Sequence, residues 1–410
     1  MTGAGARLVP ALGLLVLLGI AWAFSSDRRR VPWRTVAFGL ALQFGLATLL
    51  LRTALGRTFF DGMNALVAAL TRYTRAGVGF VFGGLVPERF SFAVEVLPII
   101  VFMGSVFAVL YHLGVMQRLV ALLAAGLSRS MGTSGAESLC AVANIFLGLV
   151  ESALVVRPYL ERMTRSELFV LMTLGMATVA GSVLLAYVGM LGGGDWGGHL
   201  ATATLISAPA GLLLAKLMVP ETGRPETAAG ARVSVERSAA NVIDAAAEGA
   251  IAGLRLAAYV GALLVAFVAL IALLNDLLGL LGGLVGHPEL TLQGLFGALL
   301  APLAWLMGVP WEEAGAVGAL LGVKTVLNEF LAYADLASLV ARGGLSERSA
   351  VIASYALCGF ANFGSLAILL GGLGGLAPGR RAEVASLGLR AILSGSLASF
   401  MTACVAAILL

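Results

Sequence analysis

Two strongly apolar stretches of this chain carry ionisable side chains in their middle. Residues 131–160 contain Asn144 and Glu151, and residues 322–341 contain Glu329. A charge at the centre of a bilayer costs about 2.5–3.5 kcal/mol on insertion scales, so such residues are rare and usually functional. Two acidic segments of this kind in one hydrophobic chain predict a site through which a polar solute or an ion passes.

The overall composition is that of a membrane protein. Of the 410 residues, 60% are hydrophobic and 12% are charged, and the mean hydropathy is +0.98, whereas soluble domains carry about 25% charged residues. The net charge of +4 is dispersed, and no basic block with interleaved aromatic residues occurs. We therefore expect the lipid bilayer and a small solute as partners, and no nucleic acid.

Apolar runs long enough to cross a bilayer recur along the whole sequence. A span needs roughly 20 apolar residues, whereas an amphipathic spacing indicates a helix that lies at the membrane surface. The predicted spans are 8–24, 34–52, 92–112, 168–191, 199–218, 250–280, 349–370 and 388–410; the predicted surface helices are 58–90, 115–129 and 289–308; the acidic segments 134–159 and 311–341 are predicted to be re-entrant hairpins.

Basic residues give the predicted orientation. Arg28, Arg29 and Arg30 follow the first apolar run, and cytoplasmic connections are enriched in Lys and Arg. We therefore expect a retained first helix with its N-terminus outside, although residues 21–23 have the small-residue pattern of a signal-peptide cleavage site. With eight spans the C-terminus also lies outside, in a multi-pass protein of the cell (inner) membrane.

The two halves of the chain share one order of segments. In each half a surface helix precedes an acidic hairpin, and a span interrupted by Gly-Ser follows, at 175–191 and 359–375. Inverted repeats with broken helices at mid-membrane are a recurring transporter design. We predict an all-α polytopic membrane protein with an inverted repeat. The predicted units are N-terminal helices (1–112), a first repeat (113–220), a cytoplasmic loop with a long helix (221–285) and a second repeat (286–410).

Six stretches in this order carry a resemblance to a known family. They are 96–117, 131–148, 175–189, 241–257, 324–333 and 354–365, and they include the long motifs TSGAESL, NEF and YALCGFANF. On these residues the chain resembles the concentrative nucleoside transporter family. The resemblance implies eight membrane helices, two re-entrant hairpins and a homotrimer in which a transport domain moves against a scaffold. It assigns residues 1–112 and 221–285 to the scaffold, and residues 113–220 and 286–410 to two transport repeats. It also implies import of nucleosides driven by a sodium or proton gradient.

The resemblance also implies a substrate site. Glu329, Asn362 and Ser365 match ribose contacts of the family, and a carboxylate can accept two hydrogen bonds from a vicinal diol. Phe360 would stack on the substrate or form part of the wall of its site. The alternatives for Glu329 are an ion pair with Lys324 or solvation in a cavity. For the other three residues the alternative is simple helix-packing contacts. The predicted substrate-binding residues are Leu149, Val150, Glu151, Asn328, Glu329, Phe360, Asn362 and Ser365.

A sodium site follows from the same resemblance. It comprises the Asn144 side chain, the Thr178 hydroxyl, and the carbonyl oxygens of Leu147 and Val179. Sodium prefers hard oxygen ligands, and broken helices supply free carbonyls. The alternative is proton coupling through Glu151, because a desolvated carboxyl group can take up and release a proton.

One departure from the family concerns the tip of the first hairpin. The family pattern is G-Q-T-E-x-P, whereas this chain has Gly148, Leu149, Val150 and Glu151. Aliphatic side chains cannot form hydrogen bonds with the polar edge of a base, so the base preference is left open. One alternative is therefore a transporter of the same fold for another ribosyl or polar small molecule. A second is an intramembrane enzyme with Glu151 and Glu329 as an acid pair, but no zincin, serine-elbow or phosphate-loop motif supports it, and we predict no enzyme.

Overall fold

The computed structural model describes residues 4–85, 91–228, 239–284 and 286–410, and within these ranges the chain is helical with no β-strand. The α-helices are α1 (Ala4–Ala23), α2 (Trp33–Arg52), α3 (Ala54–Phe82), α4 (Leu97–His112), α5 (Val115–Met131), α6 (Gly135–Phe146), α7 (Glu151–Val155), α8 (Arg165–Ala177), α9 (Gly181–Met190), α10 (Trp196–Met218), α11 (Val242–Gly283), α12 (Leu292–Leu306), α13 (Trp311–Val326), α14 (Glu329–Ala341), α15 (Glu347–Leu357), α16 (Phe363–Leu376) and α17 (Arg381–Leu409).

Each predicted span coincides with one helix or with a broken pair of helices. The pairs are α8 with α9, and α15 with α16. Six continuous or nearly continuous segments of the described chain are long and apolar enough to cross a membrane. They are Trp33–Arg52, Phe92–His112, Arg165–Met190, Trp196–Met218, Val242–Gly283 and Pro378–Leu409. The predicted surface helices and hairpins are also present, and α12 meets α13 at an angle of 115°.

Helix starts agree with the side-chain signals in the sequence. Ser134 with Glu137, and Thr164 with Glu167, form complete capping boxes at the starts of α6 and α8. In each box the hydroxyl and the carboxylate satisfy backbone N–H groups that have no partner within the helix. Pro310 precedes α13.

Several predicted boundaries were wrong. The sixth span begins at Val242, not at 250, because the Asn241 side chain caps the backbone N–H groups of Ile243 and Asp244. At 1.5 Å per residue the 42-residue α11 is about 63 Å long. The first surface helix begins at Ala54, after its cap Thr53, and residues 86–90 of that prediction lie outside the described ranges.

The break in the fourth span also lies elsewhere than predicted. The sequence placed it at Gly181, but the non-helical residues are 178–180, and Gly181 already begins α9. This glycine is required for close packing, because a side chain there would collide with the Phe107 ring.

The spans divide into a buried and an exposed group. In the most hydrophobic parts of α10 and α11, 94% and 11% of the residues are buried, respectively. The spans of α8–α9 and α17 resemble α10, and those of α2 and α4 resemble α11. The helices α4 and α11 pack closely along one another, since a side chain at Gly104 would collide with backbone atoms of Gly249 and Gly253. Within the exposed group, α4 and α11 therefore form a glycine-mediated helix pair beside the buried bundle.

Candidate functional site

A cavity of about 510 Å³ lies where the two hairpins, the two broken spans and the α4–α11 pair meet. Its volume is in the range of small-molecule sites. All eight predicted substrate-binding residues line it: Leu149, Val150, Glu151, Asn328, Glu329, Phe360, Asn362 and Ser365. The structure therefore brings together residues that are up to 216 positions apart (365 − 149).

The tip of the first hairpin forms an apolar part of the wall. Leu149 packs over Gly175, and a side chain at Gly372 would collide with Val150. The tip thus fits between α8 and α16 because both helices have a glycine at the contact. Gly148 leaves room for the carboxylate of Glu151, which a side chain at that position would displace.

The carboxylate of Glu329 is buried at the cavity and held by side chains on both of its oxygens. It is 3% exposed. The hydroxyl of Tyr187 donates a 2.9 Å hydrogen bond to Oε1, and Nδ2 of Asn362 donates a 2.6 Å hydrogen bond to Oε2. Hydrogen bonds to an ionised acceptor are shorter and stronger than neutral ones. Each carboxylate oxygen keeps further lone-pair capacity for a ligand.

Two asparagines organise the second-repeat side of the cavity. The side chain of Asn328 accepts a hydrogen bond from the backbone N–H of Leu331, at 2.9 Å, and thereby caps α14. Asn362 accepts from the N–H of Ser365, at 2.7 Å, and caps α16. Because the oxygen of Asn362 is used by this cap, its amide nitrogen is directed to Glu329.

The alternative ion pair between Glu329 and Lys324 is not present. No salt bridge of the described chain includes Lys324, whose Nζ donates instead to the carbonyl oxygen of Ala356, at 2.8 Å. Phe360, 9% exposed, lies at the cavity wall, as either role predicted for it requires.

An aromatic cluster supports the Glu329 side of the site. The rings of Tyr187 and Tyr333 stack with centroids 4.2 Å apart, and Phe330 meets Tyr187 edge-on at 5.0 Å. The Tyr333 hydroxyl donates to the carbonyl oxygen of Ser354, at 2.7 Å. These contacts fix the Tyr187 ring, so its hydroxyl has little freedom to leave Glu329.

The four residues of the predicted sodium site lie where the first hairpin meets the first broken span. The Thr178 hydroxyl is 3.4 Å from the carbonyl oxygen of Asn144. The side-chain nitrogen of Asn144 is buried without a hydrogen-bond partner. In the described chain, the carbonyl oxygens of Leu147 and Val179 accept no hydrogen bond from loops or side chains. Of these groups, the two free carbonyl oxygens are the ones that fit a small cation, which takes hard oxygen ligands at the end of a broken helix.

Sequence reasoning missed the residues that support the site from outside it. Tyr187 was not predicted, although its place six residues after the start of α9 could have marked it as a buried polar group in a span. The wall contributed by α4 and α11, including Tyr111 and Gly253, was also missed. It carries few polar residues, and only the packing of the helices brings it to the cavity.

A buried ion cluster lies apart from the cavity, at the start of the first hairpin. Lys216 of α10 contacts the carboxylate of Glu137, and it lies 3.2 Å from Glu221. Partial burial opposes ionisation of Glu221. The charge of Lys216 and hydrogen bonds from Gly223 and Thr164 nevertheless hold its pKa below the usual value.

Family models match almost the entire length of the chain. The model of the Na⁺-dependent nucleoside transporter C-terminus matches residues 199–407, and the model of its N-terminus matches residues 12–85. A nucleoside recognition model, called Gate, matches residues 93–194.

Individual proteins agree with the family models. The nucleoside permease NupC of Helicobacter pylori is 41% identical and covers 97% of each chain. Human solute carrier family 28 member 3 is 41% identical over 98% of this chain and 60% of its own length. The structure of CNTnw in an inward-facing substrate-bound state is 46% identical, with a TM-score of 0.92 over 98% of each chain. The all-helical fold is therefore that of known transporters, and the chain belongs to the Na⁺-dependent nucleoside transporter family.

Proposed function

We propose that the protein imports nucleosides together with a cation, and that sodium is this cation. The observation that carries the proposal is the arrangement of Glu329. Its two oxygens are held by Tyr187 and Asn362 at the wall of a cavity of about 510 Å³. A fixed carboxylate with free lone pairs suits the two hydroxyls of a ribose. Ser365 and Asn328 are proposed to complete the sugar side.

The first hairpin is proposed to face the base. Leu149 and Val150 offer apolar contact and no hydrogen bonds, and Phe360 offers an aromatic face that suits any base. Glu151 is the one charged group of this tip. The supported substrate class is therefore nucleosides with weak discrimination among bases. Another ribosyl compound is the second candidate, favoured by the same two aliphatic side chains.

Sodium is proposed to bind at Asn144, Leu147, Thr178 and Val179. The contact between Thr178 and Asn144, and the free carbonyl oxygens of Leu147 and Val179, support this placement. A cation there would hold the first hairpin against the broken fourth span. The hairpin tip also forms part of the cavity wall, so cation binding there would order the substrate site. Binding of the cation and binding of the nucleoside would therefore be coupled. Proton coupling through Glu151 remains the alternative.

The proposed movement is that of a transport domain against a scaffold. The buried bundle, which contains both hairpins and both broken spans, would be the moving part, and the α4–α11 pair would be the fixed wall. Repeats that move as rigid units around a mid-membrane site are common in transporters. The homotrimer, the inner-membrane location and the external termini are part of this proposal, and the exposed apolar surface of α11 is consistent with lipid and subunit contacts.

Uptake of radiolabelled uridine and adenosine into proteoliposomes tests the proposal. We expect an inward sodium gradient to stimulate uptake, a proton gradient alone not to do so, and Glu329→Gln to abolish uptake. Glu289→Gln is the matched control, because Glu289 is an exposed glutamate far from the cavity lining. Absence of nucleoside uptake under both gradients would refute the proposed substrate, and proton-driven uptake would refute sodium.

A further inference from the structure

The second repeat has a buried lysine at the position where the first repeat has the asparagine of the proposed sodium site. Asn144 lies two residues before Phe146, the last residue of α6. Lys324 lies two residues before Val326, the last residue of α13. In both repeats the chain leaves the helix immediately afterwards to form the hairpin tip. The two side chains are thus counterparts in the inverted repeat.

The segments that face these two residues are counterparts as well. Thr178 is the first residue after α8, and Cys358 is the first after α15. The Thr178 hydroxyl contacts the carbonyl oxygen of Asn144. In the second repeat Lys324 reaches the end of α15 and donates to the carbonyl oxygen of Ala356. Each repeat therefore joins the end of its first hairpin helix to the break in the following span.

The surroundings of the Lys324 ammonium are those of a bound cation. The side chain is fully buried. Its Nζ lies 2.8 Å from the carbonyl oxygen of Ala356. It also lies over the ring of Phe400, 5.7 Å from the ring centroid. Carbonyl oxygens and aromatic faces both stabilise a cation that has lost its water.

We propose that the Lys324 ammonium is a tethered cation that occupies the second repeat's counterpart of the sodium site. Carbonyl oxygens at the end of a broken helix carry partial negative charge and favour a cation. In the first repeat a sodium ion from solution would bind these carbonyl oxygens. In the second repeat the Lys324 ammonium, which is part of the chain, would bind them. Only an ion that can leave the protein can use the energy of a concentration gradient across the membrane. One sodium ion is therefore transported with each nucleoside, an inference that rests on the proposed function.

The test compares ion and nucleoside fluxes in proteoliposomes that hold the wild-type protein. We expect one sodium ion, and no proton, to enter with each uridine. In Lys324→Asn the second site would resemble the first and accept a free ion. At subsaturating sodium, halving its concentration should then lower uptake about fourfold instead of about twofold, by mass action. Lys324→Arg, which keeps a tethered cation, should retain the wild-type dependence.

A binding measurement covers the case in which Lys324→Asn folds but does not transport. Sodium should raise the Tm of the purified variant more steeply with concentration than that of the wild type, because a second site adds its own stabilisation. Two sodium ions per nucleoside in the wild type, a proton released by Lys324 in each cycle, or equal steepness in wild type and Lys324→Asn would overturn the inference. A wild type with no sodium-stimulated uptake would instead overturn the proposed function.

Discussion

The hydroxyl of Tyr187 donates a hydrogen bond to Oε1 of Glu329 at 2.9 Å, across 142 residues of sequence. Tyr187 belongs to the broken span of the first repeat, and Glu329 begins the second helix of the other repeat's hairpin. The bond therefore joins the two halves of the molecule directly behind the cavity. Because Asn362 holds the other oxygen, the orientation of the carboxylate depends on both repeats.

Tyr187→Phe should weaken recognition of the sugar. A hydrogen bond to a charged group contributes about 1.5–3 kcal/mol, and loss of the lower value corresponds to roughly a tenfold change in affinity. We expect the KM for uridine to rise about tenfold with little change in kcat. The ratio of kcat/KM for uridine to that for 3′-deoxyuridine should fall, because the carboxylate is less firmly placed for the diol.

Tyr333→Phe is the matched control for that experiment. Tyr333 stacks on Tyr187 and is equally buried, but its hydroxyl donates to Ser354 and not to Glu329. It should change protein stability without changing sugar discrimination. Equal effects of the two substitutions on the uridine to 3′-deoxyuridine ratio would show that Tyr187 acts through packing alone.

Thr178→Val should raise the sodium concentration required for half-maximal uptake. Valine keeps the shape of threonine and removes the proposed ligand oxygen, whereas the other three ligands stay in place. We expect an increase of about tenfold, the equivalent of about 1.4 kcal/mol, and no change in maximal uptake at saturating sodium. Uptake of labelled uridine over a series of sodium concentrations measures it.

Thr173→Val provides the comparison in the same helix. Thr173 is also fully buried in α8, but its hydroxyl has no hydrogen-bond partner among the described residues and lies five positions before the break. Its substitution should leave the sodium dependence unchanged. If Thr178→Val also leaves it unchanged, the ion does not bind at Thr178.

The sequence predicted the elements of this fold well because their signals are local. Capping boxes marked the starts of α6 and α8, and Glu151 and Glu329 marked the hairpins through the cost of a charge in lipid. The composition of the cavity followed from the resemblance at the hairpin and helix-break motifs. All eight predicted lining residues are indeed at the cavity.

The supporting contacts could not be predicted, because they depend on how distant helices meet. Tyr187 resembles any aromatic residue of a span until the fold places it beside Glu329. The same holds for Lys324: the sequence offered an ion pair with Glu329 as an alternative, whereas the structure directs its ammonium to Ala356. The early start of α11 was missed because polar residues between 241 and 250 resembled a loop, although Asn241 is a strong helix cap.

The ion cluster at the start of the first hairpin should determine stability. Lys216→Met would leave Glu137 buried without its counterion, and breaking a buried pair in this way costs about 3–5 kcal/mol. We expect a lower Tm in detergent. Glu226→Gln, which removes a pair with Arg162 that is largely exposed, should change stability by less than about 1 kcal/mol. A Tm of Lys216→Met equal to that of Glu226→Gln would contradict the prediction.

The same cluster predicts a dependence of stability on pH. The folded-state pKa of Glu221 lies below its ordinary value of 4.5, so folding favours the ionised carboxylate. Its contribution is fully present above about pH 4.5 and is lost as the pH falls through the folded-state value. The difference in Tm between wild type and Glu221→Gln should therefore shrink as the pH falls below 4.5. A difference that stays constant over this range would show that Glu221 does not stabilise the fold through its charge.

The apolar hairpin tip should make the transporter tolerant of different bases. A site built around hydrogen bonds rejects an unsuited ligand by large factors, whereas an apolar wall discriminates weakly. We expect kcat/KM for uridine and adenosine to differ by less than about tenfold, measured by competition for uptake. Val150→Thr adds a hydroxyl with almost no change in shape, so the packing against Gly372 is kept. It should strengthen the preference for one base by several-fold, since a net hydrogen bond contributes about 0.5–1.5 kcal/mol.

The control for this substitution is Val156→Thr. Val156 is fully buried at the end of α7 but does not line the cavity, so the added hydroxyl should leave the ratio of the two nucleosides unchanged. A wild-type protein that separates uridine from adenosine by more than about a hundredfold would require a polar contact with the base. Because Leu149 and Val150 cannot supply it, Glu151 would then be the group of the first hairpin that reads the base.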